Sequence, residues 1–86
     1  MSKVTVRYWA AAKDAAGVAE EVVDARTLGG VIVAALDRHQ QDPRLRAVLA
    51  RSSFLVDGLA VAGRDAEDVV LPDAAVIEVL PPFAGG

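Results

Sequence analysis

The 86-residue sequence predicts an α+β fold, a mixed sheet with one main helix packed on one of its faces and a short accessory helix beside it. Three observations carry this. Apolar residues alternate with a period of two near both ends of the chain. They recur at helical spacing from Leu28 to Leu36. An Asp-Gly pair separates two short apolar runs in the second half.

Val4, Val6 and Tyr8 alternate with Lys3, Thr5, Arg7 and Trp9, which predicts a first strand with two unlike faces. Ala10 to Gly17 is small and charged and closes on Gly, so it reads as a loop, and Val18 to Val23 reads as a second strand pairing back antiparallel. Thr27 is a helix N-cap, and Leu28, Val31, Ile32, Ala35 and Leu36 form one apolar stripe of a helix reaching His39 or Gln40. Asp42-Pro43 is a second helix start, and Leu45, Val48 and Leu49 give its short stripe. Phe54 to Val56 and Leu59 to Val61 flank Asp57-Gly58, the pattern of a tight hairpin whose central residues need positive φ. Ala62 to Asp68 is a polar connection and Leu71-Pro72-Asp73 a turn. Ala75 to Leu80 is the last strand, with Glu78 on one side and Ile77 and Val79 on the other. On this reading Trp9, Val76 and Leu80 lie on the sheet face away from the helix, and an uncovered apolar face suggests a docking surface.

Composition excludes several function classes. Hydrophobic residues make up 53% of the chain, so it has the means to fold. There is no cysteine and only one histidine, which removes thiolate chemistry and thiolate zinc sites; no metal is expected. The net charge of −3 argues against nucleic acid. No apolar run approaches the ~20 residues of a membrane span and the start does not read as a signal sequence, so a cytoplasmic location without membrane attachment is expected.

The usual catalytic groupings are weak. Asp14, Asp24, Asp65, Glu67, Asp68 and Asp73 read as solvated loop or turn acids, and His39 as a structural residue at a helix end without the partners a ligand would need. Gly29-Gly30 lacks the residues of a phosphate-binding loop and reads as close helix packing, while Arg38, Arg44, Arg46 and Arg51 read as a solvated basic edge. The segment Pro81-Pro82-Phe83-Ala84-Gly85-Gly86 stands apart from this pattern. Two closing glycines arise by composition alone about 0.5% of the time. The prolines favour an extended exit, Phe83 offers one anchor, and glycines without Cβ fit a narrow channel. The reactive group of such a probe is its terminal carboxylate, a poor electrophile until another enzyme activates it.

These residues resemble the β-grasp sulfur-carrier family of the MoaD/ThiS type, and within it the small subunit of molybdopterin synthase. Val4 to Ala10 is similar to the family's first strand, and Leu71 to Gly86 is similar to its closing strand and tail. Lys13-Asp14-Ala15-Ala16-Gly17 stands where the family has a basic-acidic pair ending in Gly, with Lys13 in place of the usual Arg, and Ala74 replaces the usual Gly after Asp73. The resemblance implies a β-grasp, ubiquitin-like domain over residues 1–80 and an extended tail over 81–86. It implies that an E1-like enzyme uses ATP to adenylate the Gly86 carboxylate, that a sulfur donor then makes the thiocarboxylate, and that Pro81, Pro82, Phe83, Ala84 and Gly85 carry it into the large synthase subunit. Sulfur would pass to a pterin precursor for the molybdenum cofactor. The chain would then be the non-catalytic sulfur-donor subunit of the complex, binding no cofactor itself, with Trp9 and Leu80 on the partner-binding face. The same tail chemistry would serve a carrier for thiamine, cysteine or another thio-metabolite. A ubiquitin-like protein modifier is the alternative from a different class.

Overall fold

The computed structural model of the chain describes residues 2–61 and 63–82. Strand β1 (Lys3–Tyr8) pairs antiparallel with β2 (Glu20–Asp24), with Val4 opposite Val23 and Val6 opposite Glu21. It pairs parallel with the last strand, β5 (Val76–Leu80), with Thr5 beside Val76 and Arg7 beside Glu78. On the far side of β5 runs β3 (Ser53–Val56), antiparallel, with the two-residue β4 (Leu59–Ala60) outside it, so the sheet order is β2-β1-β5-β3-β4. Asp57 and Gly58 close the β3–β4 hairpin with φ of 49° and 85°, the left-handed pair that the sequence demands there.

Helix α2 (Leu28–Arg38) begins where Thr27 Oγ1 accepts the Gly30 N–H at 3.0 Å, and its Leu28, Val31, Ala35 and Leu36 are buried. Its two glycines are packing residues. A Cβ on Gly29 would come within 3.0 Å of Glu67 Cγ and 3.3 Å of Glu67 Cα, on the 3₁₀ turn Ala66–Asp68. Helix α3 (Pro43–Arg51) is capped by Asp42, whose carboxylate accepts the Arg44 N–H at 2.8 Å. Leu45, Val48 and Leu49 of α3 are all buried, Leu45 completely, so this helix is a wall of the core and not the accessory its length suggests.

The region from Ala10 to Gly17 corrects the sequence reading. It is not a loop: Ala11–Ala16 form a helix, α1, ended by Gly17 at φ 79° with its N–H on the Lys13 carbonyl. Alanine is the best helix former, and the small side chains let the helix lie close. Ala12 and Ala16 are buried between β1 and α3. Strand β2 accordingly starts later than Val18, at Glu20. Asp14 therefore sits on a helix and Asp24 ends a strand, while Glu67 and Asp68 lie on the 3₁₀ turn.

Inward-facing Val4, Val6, Tyr8, Val23, Ile77 and Val79 meet the helices in one core. Helices α1, α2 and α3 all contribute buried residues to that core, and no helix among the described residues is long and apolar enough to cross a membrane.

Candidate functional site

Among the described residues, no helix covers the opposite sheet face. Strand alternation places Thr5 and Arg7 there from β1, Glu20, Val22 and Asp24 from β2, Val76, Glu78 and Leu80 from β5, and Ser53 and Leu55 from β3. Trp9 follows β1 directly, and its N–H donates to the Val79 carbonyl at 3.2 Å, so the parallel register continues far enough to set Trp9 beside Leu80. Trp9 is 48% exposed, Val22 is 50% exposed, and Leu80 and Val76 are half-buried. Trp9, half in water, and the part-covered Leu80 beside it form a small apolar patch that no other described residue covers.

The patch lies at the end of β5 from which the tail leaves. Leu80 pairs with Ser53, and Pro81 and Pro82 follow outside the sheet, Pro82 exposed. Phe83, Ala84, Gly85 and Gly86, the rest of the predicted probe, lie outside the described residues. Next to Trp9 a depression of about 220 Å³ is lined by Arg7, Tyr8, Lys13, Ala19 and Glu20, so Lys13 of α1 stands at the rim of the same patch. Ala10 holds the turn between Trp9 and α1 at φ 50° and ψ −125°, a backbone setting costly for any residue with a Cβ.

Polar residues divide this face. Arg7 Nε lies 3.6 Å from Glu20 Oε1, and both side chains are about half exposed. Of the predicted basic edge, Arg38 ends α2 and is not part of α3, and it donates from Nη1 to the Val22 carbonyl at 2.6 Å, covering part of the free edge of β2. Arg46 donates to Gln41, and Arg44 and Arg51 are exposed.

One polar cluster escaped the sequence reading. His39 is structural at the helix end, as the sequence reading has it: it caps α2, and its Nε2 lies 2.8 Å from Glu21 Oε2, the same oxygen that accepts the Tyr8 hydroxyl at 2.5 Å. The Tyr8 and His39 rings meet edge to face, with centroids 6.3 Å apart. Burial, reinforced by the Glu21 hydrogen bond and charge, raises the Tyr8 hydroxyl pKa far above its ordinary value, against a smaller opposing pull from Arg38. The available signal was parity: Glu21 shares the inward face with Val23, and a carboxylate facing a core requires partners. The trio links β1, β2 and the end of α2, and it stands on the helix side of the sheet, away from the tail's patch.

The profile of the ThiS family matches residues 6–86, nearly the whole chain. The chain belongs to the ThiS family. Solved structures agree with the fold. The small archaeal modifier protein 1 from Methanosarcina acetivorans is 23% identical and covers 100% of this chain and 98% of its own, with a TM-score of 0.82. A putative molybdopterin converting factor subunit 1 from Pyrococcus furiosus is 25% identical over 96% of this chain and 100% of that one, with a TM-score of 0.74. Subunit 1 in the complex of subunits 1 and 2 of the molybdopterin-converting factor from Helicobacter pylori is 23% identical over 98% and 99% of the two chains, with a TM-score of 0.66. A search of curated proteins gave no significant match. This ThiS-family chain thus has the β-grasp, ubiquitin-like fold of sulfur carriers, as the sequence predicted.

Proposed function

We propose that this ThiS-family chain is a sulfur carrier for molybdopterin biosynthesis, the sulfur-donor subunit of a synthase whose catalytic groups reside on a large subunit. The observation that carries the reading is the family match running through Gly86, which takes in the Gly-Gly end as well as the folded domain. The carboxylate of Gly86 attacks the α-phosphorus of ATP in an E1-like enzyme and expels pyrophosphate. A sulfur donor then displaces AMP from the acyl-adenylate, leaving a thiocarboxylate. Its sulfur is the nucleophile delivered to the pterin precursor once Pro81 to Gly85 have threaded the tail into the large subunit. The described part of the chain supports this division of labour. Its sheet face away from the helices carries exposed Trp9 and part-covered Leu80 beside the point where Pro81 and exposed Pro82 leave β5, an arrangement that suits docking and delivery. The 25% identity to the putative molybdopterin converting factor subunit 1 from Pyrococcus furiosus supports the molybdopterin reading, and the fold likeness to the small archaeal modifier protein 1 makes the protein modifier the alternative to test against.

The test is the intact mass of the protein after incubation with ATP, a sulfur source and the E1-like enzyme of the same organism. Replacement of one oxygen by sulfur on the C-terminal peptide is expected. Deleting Gly86, or extending the chain beyond it, is expected to leave the fold unchanged and abolish the gain. Unchanged wild-type mass with active enzyme refutes the carrier reading, and isopeptide-linked conjugates on a reducing gel would move the chain to the protein modifiers.

A further inference from the structure

The open face is not uniformly apolar. Strand register lines up Glu20 of β2, Arg7 of β1 and Glu78 of β5 in one row across three adjacent strands, with Leu55 of β3 continuing it. Trp9 and Leu80 lie on one side of this row and Val22, Thr5 and Val76 on the other. The row carries two carboxylates and one guanidinium. Arg7 is drawn to Glu20, at 3.6 Å, and among the described residues Glu78 has no cation within 4.0 Å. Glu78 is already half-buried between Val76 and Leu80, about 7 Å from each along the strand.

We propose that the partner surface that covers Trp9 and Leu80 presents an arginine or lysine opposite the Glu20–Arg7–Glu78 row, and that Glu78 is the residue that selects for it. The inference rests on the reading of this face as the docking surface. A surface that reaches both Leu80 and Val76 must pass over Glu78, which sits between them on the same strand face. Covering a carboxylate without a counter-charge is strongly unfavourable, and Arg7 cannot neutralise two carboxylates at once. A purely apolar partner is therefore rejected by the same face that an apolar partner with one cation fits. Arginine suits the position best, because its planar fork can bond Glu78 while stacking on the neighbouring indole.

The experiment measures binding of the full chain to the large molybdopterin synthase subunit of the same organism, at about 0.05 M and about 0.5 M salt. The variants are Glu78→Gln, Glu78→Lys and Leu80→Asp, each checked for an unchanged circular dichroism spectrum. Expected are a loss of about tenfold or more for Glu78→Lys, a smaller loss with a flattened salt dependence for Glu78→Gln, and near-complete loss for Leu80→Asp. Restoration of Glu78→Lys binding by a charge-reversed residue on the partner would identify the cation. If Glu78→Lys binds like the wild type while Leu80→Asp does not, the face is right and the cation proposal is overturned. If Leu80→Asp also binds normally, the docking-face reading itself fails and this proposal falls with it; if the wild type does not bind although its Gly86 carboxylate is thiolated, the molybdopterin assignment fails and the proposal for this partner is overturned.

Discussion

Tyr8 is the single tyrosine of the chain, so its ionisation can be followed by tyrosinate absorbance without interference. It is 2% exposed, and its hydroxyl donates to a carboxylate that also holds His39. In the unfolded chain the hydroxyl titrates near pH 10. In the folded chain burial, then the bond to Glu21 and its negative charge, keep the proton on. Between the two values the folded state binds one more proton than the unfolded state, so this contribution is complete below about pH 10 and is lost as pH rises above it. The ceiling is one proton, or about 1.4 kcal/mol of unfolding free energy per pH unit. Over two units that is about 2.7 kcal/mol, a sizeable part of the ~4–13 kcal/mol expected for a domain of this length. The assay is denaturant unfolding from neutral pH to about pH 12, read by the fluorescence of the lone Trp9, with tyrosinate absorbance recorded on the native protein. Native protein is expected to show no tyrosinate until it unfolds. The Tyr8→Phe variant, weaker by about 1–2 kcal/mol at neutral pH for the lost hydrogen bond, should show a shallower alkaline decline. A native tyrosinate midpoint near pH 10 with the fold intact would refute the reasoning, because it would mean that Tyr8 reaches water.

Ala74 adopts φ 60°, which costs a residue with a Cβ about 1–2 kcal/mol, so Ala74→Gly should stabilise the protein by about 0.5–1 kcal/mol after the added flexibility of the unfolded chain. The matched change Ala47→Gly on the exposed side of α3 should destabilise by about 1 kcal/mol, and thermal melts of the pair check both signs. Leu45→Ala should cost about 2–5 kcal/mol and lower Tm by at least about 8 °C, since Leu45 is wholly buried; a change near zero would return α3 to the role of an accessory. Trp9→Glu should shift Tm by only a few degrees yet weaken large-subunit binding by about 2 kcal/mol or more, whereas a large Tm loss with binding intact would show that Trp9 serves the core.

Much of the fold was legible because its signals are local. The period of two in Val4 to Tyr8, the stripe from Leu28 to Leu36, the Thr27 and Asp42 caps and the Asp57-Gly58 turn each depend on residues a few positions apart, and each occurs where the spacing put it. The resemblance of Leu71 to Gly86 to a sulfur-carrier tail was legible for the same reason. The α1 helix was not, since an alanine-rich stretch without large side chains leaves no stripe to read, and only packing against α3 shows which way it settles. The Ala74 departure from the family's Gly was visible in the sequence, but its meaning lies in a backbone angle.

Apart from α1, the sequence by itself determined the element types, the turn chemistry and the family, because backbone preference and side-chain periodicity act over a few residues. Only the tertiary structure decided that Glu21 would hold both Tyr8 and His39, and that Glu20, Arg7 and Glu78 would form one row. These groups come from segments far apart in the chain, and their meeting is set by strand order and register. Those in turn depend on how the whole apolar core closes.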